Sequence, residues 1–206
     1  MYTMYSLAGS CSTGIVVLLE KLGVDYKLEH RDDVENYKQI VPTGQVPALK
    51  TPEGQIITEG AAIGLYLLEK HGQDLTPPTP EGRAEFNRWL MFNYATLHPA
   101  YGRLFALKGA MAGETNQQAT MQKMADKVTD LWAILDTHLE GRDYVVGDAP
   151  TLIDYLLAIY ISWEKNFSGI KISHGKNIEK HVAKVAELPE FKSAYAREGI
   201  EFKSAA

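Results

Sequence analysis

The stretch Gly72 to Pro80, GQDLTPPTP, constrains this 206-residue chain more than any other. Pro77, Pro78 and Pro80 each lack a backbone N–H and hold φ fixed, so neither a helix nor a ladder runs through them. The pattern changes from one side to the other. Ahead of it, Tyr2–Leu7 reads as a strand broken at Ala8-Gly9-Ser10, and Thr13–Leu22 as a helix that Gly23 is placed to end. Asp25–Glu29 alternates like a strand, and Val34–Ile40 is long enough for one or two helical turns. Pro47–Lys50 and Gln55–Thr58 are strands around Thr51-Pro52-Glu53-Gly54, which has the turn residues a hairpin needs, and Glu59–His71 reads as a helix. Behind it, Glu81–Lys108, Asn116–Leu139, Thr151–Trp163, Ile178–Ala186 and Pro189–Arg197 all carry helical periodicity. The predicted class is α/β plus all-α: β-α-β-α-β-β-α over residues 1–74, a proline-rich linker at 75–80, and a helical domain over 81–206.

Composition narrows the function classes. Hydrophobic residues make up 45% and charged residues 23%, the balance of a globular domain with a real core. A net charge of −5 argues against nucleic acid or an anionic membrane as the main partner. The longest apolar run, Leu152–Trp163, is interrupted by Asp154 and too short to span a bilayer. No signal-like opening is visible, and a single cysteine cannot form an internal disulfide. The expected location is the cytoplasm. Phosphate loops, Gly-x-Gly-x-x-Gly, His-Glu-x-x-His and clustered metal ligands are missing, so no metal is expected.

The motif with the most chemical content is Val41–Leu49, VPTGQVPAL, followed by Thr58-Glu59-Gly60-Ala61. Proline belongs at the first residue of a strand or on an edge, which suits Pro47. Only about 5–6% of X-Pro bonds in folded proteins are cis, so spacing leaves the Val46-Pro47 isomer open. TGQVPAL with TEGAAI resembles the glutathione site of the soluble glutathione transferases, nearest the bacterial beta class. The two-part element order resembles that family over nearly the whole chain. The resemblance implies a thioredoxin-like first domain and a cis Val46-Pro47 bond. It also implies that the Val46 backbone pairs with the tripeptide as an added strand. Glu59 would receive the γ-glutamyl amine, and the Gly60 N–H its carboxylate, at a helix start.

Glutathione brings its own thiol, so the protein needs only to favour the thiolate. The loop Gly9-Ser10-Cys11-Ser12-Thr13 precedes the first helix, where the dipole and hydrogen-bond donors favour an anion. Cys11 matches the beta-class cysteine, and its own pKa is expected to be lowered there. Ser10 is the rival thiolate stabiliser, and Ser12 and Thr13 read as helix caps. Gly14 stands three residues after Cys11, so no Cys-x-x-Cys pair exists.

His98, nine residues after Trp89, matches a histidine lining the electrophile pocket of the beta class, and Tyr101 and Trp163 are assigned to the same wall. Where relatives often have lysine, this chain has Pro99, expected to kink the helix. Arg31 is left outside the set. Thr151 and Asp154 form a capping arrangement, so Asp154 is read as structural. The expected activity is conjugation of glutathione thiolate to a small hydrophobic electrophile by a homodimer. The alternatives are a thiol transferase or peroxidase acting through Cys11, and a non-catalytic scaffold.

Overall fold

The computed structural model describes residues 1–203, and of residue 73 the backbone alone; residues 204–206 of the helical region lie outside the described residues. Strand β1 (Tyr2–Ser6) pairs in parallel with β2 (Tyr26–His30), Tyr2 opposite Tyr26. It pairs antiparallel with β3 (Ala48–Lys50), Met4 opposite Leu49, and β3 pairs antiparallel with β4 (Ile56–Thr58). The sheet order is therefore β2-β1-β3-β4. A parallel pair needs a long crossover, and α1 (Ser12–Leu22) supplies it, ending at Gly23 with φ +62° as expected. The single turn α2 (Tyr37–Ile40) leads toward β3, and α3 (Gly60–His71) follows β4. This is the thioredoxin-like arrangement.

Beyond the prolines, Thr79 Oγ1 accepts from the Gly82 N–H at 3.1 Å and Pro80 takes the first turn of α4 (Pro80–Met91). The helices α5 (His98–Ala110), α6 (Gln117–His138), α7 (Leu152–Ser162), α8 (Lys176–Ala186) and α9 (Pro189–Arg197) complete the second half. Every residue of α7 is buried. At about 1.5–3 kcal/mol per buried aliphatic side chain, its leucines and isoleucines contribute on the order of 10 kcal/mol before entropy. Its start carries the predicted capping box: Asp154 Oδ2 accepts from the Thr151 N–H at 2.7 Å. Asp154 Oδ1 also accepts from the Val145 N–H at 2.9 Å, so this carboxylate ties a loop to a helix end.

The helical periodicity read over 81–108 holds throughout, but the ladder changes along it. The stretch is divided into α4, a π-helical segment Phe92–Leu97, and α5. Pro99 has no N–H to give to the carbonyl four residues back. The ladder just before it widens: the His98 N–H donates to the Asn93 carbonyl, five residues away. Asn93 Nδ2 donates to the Trp89 carbonyl at 3.1 Å and helps satisfy the distorted turn.

Helix α1 joins the two halves. Ser12 through Leu19 are all buried, and the helix packs on α3, α7 and α9. Gly14 permits this approach, because a Cβ there would stand 2.8 Å from Leu156 Cδ2 of α7. After α9 the chain turns back, and Glu198 Oε2 accepts from Thr13 Oγ1 at 2.7 Å and the Gly9 N–H at 3.1 Å. The loop ahead of α1 is thus braced from both ends of the sequence.

Candidate functional site

A cleft of about 280 Å³ opens where the β3 and α3 ends of the sheet layer face the helical half. Val46 and Pro47 line it ahead of β3, and Glu59 and Gly60 line it at the start of α3. Cys11 enters from the loop before α1, and Tyr94 and His98 from the π segment and the α5 start. The Val46-Pro47 bond is cis. A second cavity of about 360 Å³ lies alongside, walled by Leu7, Gly9, Phe105 and Trp163. Cys11 and His98 belong to both. A larger cavity of about 620 Å³, between residues 139–148 and α8, contains none of the predicted residues. Its lining includes the ion pair of Lys184 with Asp143 at 2.8 Å.

Cys11 overturns one expectation. Its pKa is pushed up to about 12 by burial; backbone N–H groups of Cys11 and Ser12 pull it down, and Glu59 pushes it up. The helix start is there, but the thiol is only 8% exposed, and desolvation of the anion outweighs the donors. Cys11 is a neutral thiol at pH 7, donating to the Val46 carbonyl across 3.9 Å. A second correction concerns the helix caps, and it falls on Ser10, which lines the apolar cavity. Its Oγ accepts from the Ser12 N–H at 3.1 Å and lies 2.7 Å from Ser12 Oγ, so Ser10 does the capping. Ser12 instead bridges the N–H and carbonyl of Leu7, at 3.0 and 3.2 Å, and Thr13 holds Gly9 and Glu198. Neither Ser12 nor Thr13 is a cap.

Glu59 precedes α3 with φ +66°, a conformation that costs a non-glycine residue about 1–3 kcal/mol and recurs at ligand clamps. Its side chain does not cap the helix. Gly60 is glycine for a reason of space. A Cβ there would stand 2.5 Å from Cζ of Tyr94, and closer still to the Tyr94 hydroxyl. Tyr94 was invisible as a site residue, since an aromatic at helical spacing carries no signal of its own. Arg31, outside the predicted set, also lines the cleft, its Nη1 donating to the Gly44 carbonyl at 3.4 Å.

His98 stands where the cavities meet, its ring 5.5 Å from that of Trp163 and 5.7 Å from that of Tyr160. Burial lowers its pKa against a smaller opposing pull from Glu59, leaving a neutral imidazole at pH 7. Trp163 donates Nε1–H to the Gly9 carbonyl at 2.8 Å, fixing the apolar wall to the α1 loop. Tyr101 is the third correction. It is wholly buried and lines neither cavity. Its hydroxyl donates to Glu164 Oε1 at 2.7 Å and accepts from Trp132 Nε1–H at 2.8 Å. It braces Trp163 from behind, with ring centroids 5.7 Å apart.

A thioredoxin-like domain followed by a helical domain, with a cleft lined by Val46, Glu59 and Gly60 beside an apolar cavity, is a two-domain architecture with a candidate site at the junction. Residues 8–70 match the family described as glutathione S-transferase, N-terminal domain, and residues 94–189 match glutathione S-transferase, C-terminal domain. The chain belongs to the glutathione S-transferase family and is a glutathione transferase. Glutathione S-transferase GST-4.5 of Xanthomonas campestris pv. campestris is 26% identical, covering 96% of this chain and 98% of its own. A sphingomonad glutathione S-transferase solved in complex with glutathione has a TM-score of 0.81 and 26% identity, covering 97% of this chain and all of its own. A bacterial beta class transferase of Sphingomonas chungbukensis shares the fold, with a TM-score of 0.83 and 22% identity over 97% of this chain and all of its own.

Proposed function

We propose that the chain conjugates reduced glutathione to a small hydrophobic electrophile. One observation carries the reading: a polar, partly backbone-lined cleft and an apolar cavity share Cys11 and His98. The cleft suits an extended peptide with a charged head. Val46 offers main-chain groups, and Glu59 with the start of α3 offers an acid and free N–H groups. Residues 1–74 on this reading bind glutathione, residues 75–80 connect, and residues 81–206 wall the second substrate. The glutathione sulfur sits at the junction, near Cys11. There a neutral thiol donor and the positive end of α1 favour the thiolate. The thiolate attacks the electrophilic carbon; a C–S bond forms, the leaving group departs with its electron pair, and the thiol proton goes to solvent. Holding both partners in adjoining cavities supplies the proximity term. His98, neutral, and Trp163 shape the apolar side. The same reading places the enzyme in the cytoplasm as a homodimer. Among the described residues no helix is long and apolar enough to cross a membrane.

The buried, protonated state of Cys11 favours conjugation over transfer through a mixed disulfide. Calorimetric titration with reduced glutathione is expected to show binding in the micromolar to millimolar range, about −8 to −4 kcal/mol. An activated chloroarene should then be consumed only when glutathione is present. No binding heat, or turnover that instead leaves a reducible glutathione adduct on Cys11, would overturn this reading.

A further inference from the structure

Tyr94 lines the cleft with its hydroxyl unpaired among the described residues. Its hydroxyl oxygen is sealed from solvent and has no hydrogen-bond partner, and burial holds its pKa well above the ordinary phenol value. It is therefore a proton donor at every working pH, without an acceptor among the described residues. Other buried polar atoms lack partners too, Tyr160 Oη among them, but Tyr160 lines neither cavity of the site, whereas Tyr94 lines the cleft. The hydroxyl fills the space where Gly60 would carry a side chain. That places it at the start of α3, a helix of twelve residues that the Glu59 side chain does not cap. Two kinds of donor thus converge without an acceptor, and a carboxylate of Glu59 stands beside them in the same cleft.

We infer that Tyr94, reaching over from the helical half, is a ligand-binding residue of the anion pocket at the α3 start. Its hydroxyl donates to the α-carboxylate of the γ-glutamyl head while the Gly60 N–H donates to the same group. This rests on the glutathione reading above. The pocket as a whole matches an α-amino acid head: two donors for the carboxylate, and Glu59 for the ammonium. The arrangement also explains why position 60 excludes any side chain, since the donor arrives from the other domain. Glutathione would then be gripped across both halves of the chain, with the second-domain contact made by a residue outside the apolar wall.

The test is calorimetric titration of reduced glutathione into the full-length protein and four variants. Tyr94→Phe keeps the ring and deletes only the donor, and affinity is expected to fall roughly tenfold. Gly60→Ser alone drives a side chain into Tyr94 and should weaken binding at least as much. Tyr94→Ala should weaken it as well. The double variant Tyr94→Ala/Gly60→Ser, with a hydroxyl returned from the helix side, should regain most of the affinity. A glutathione analogue lacking the γ-glutamyl α-carboxylate should bind wild type and Tyr94→Phe equally. Equal glutathione affinity in wild type and Tyr94→Phe would overturn the assignment while leaving the glutathione reading intact. Tighter binding by Tyr94→Ala would do the same and make Tyr94 a plug. A wild-type protein that binds no glutathione would overturn both.

Discussion

The two walls of the site are built by different means. The cleft side, residues 43–61, would on the proposed reading work largely through main chain: the Val46 backbone, the first N–H groups of α3, and one acid at a positive φ. The apolar side, residues 94–167, works through side chains packed ring on ring, His98 on Trp163 on Phe105 on Phe167. Backbone groups are the same in every residue, so the first wall depends on turn geometry and tolerates side-chain change. The second depends on volume and shape and registers every substitution. A transferase that keeps one co-substrate while varying the other is served by this division.

The division predicts a graded set of outcomes. Trp163→Ala removes a ring touching His98, Tyr160 and Phe105, together with the bond to Gly9. It is expected to cost about 3–5 kcal/mol in denaturant unfolding. Val46→Ala, on the opposite wall, should leave glutathione affinity within about twofold, because the contact there is main chain. Sensitivity of equal size at the two positions would erase the distinction. Next in size, Glu59→Gln keeps the shape and removes the charge. A lost charge-assisted bond of about 1.5–3 kcal/mol should raise the glutathione Kd by about one to two orders of magnitude. The rate at saturating glutathione should hold, and a matching drop in that rate would mean that Glu59 also serves the apolar side.

Smaller effects concern protons. With the Cys11 thiol near 12, its alkylation by iodoacetamide in the ligand-free protein should climb steadily from pH 7 to 10. A plateau reached below pH 9 would show a thiolate instead. The smallest effect belongs to His98, whose folded pKa lies below the ordinary 6.5. Between those two values the unfolded chain binds a proton that the folded chain does not. Stability therefore falls as pH drops below 6.5, and is retained above it. His98→Gln removes this component, so unfolding free energy measured from pH 7 to 5 should decline less steeply than in wild type.

Legibility followed the same line as the walls. Gly44 through Gly60 was readable because turns, a strand-opening proline and a helix start leave local marks on residue type. Asp154 was readable as a cap for that reason, and the observed bonds to Thr151 and Val145 give it this role. Tyr101 was not readable, since a tyrosine at helical spacing faces either a cavity or a core, and only the partners Glu164 and Trp132 decide. The loop hydroxyls were misassigned among themselves: Ser10, Ser12 and Thr13 are each suited to capping, and the neighbours Leu7 and Glu198 decided which did what.

By itself the sequence determined the two-part architecture, the element order and the turns that set Val46, Pro47 and Glu59 beside one another. These depend on interactions within a few residues: proline without an N–H, glycine at positive φ, apolar periods of two and 3.6. Tertiary structure alone decided the protonation of Cys11, the π segment that brings Tyr94 and His98 to the cleft, and the pairing of Tyr94 with Gly60. Those depend on what distant segments place around a group. Burial sets the cost of a charge, and close approach sets which side chain a glycine must omit.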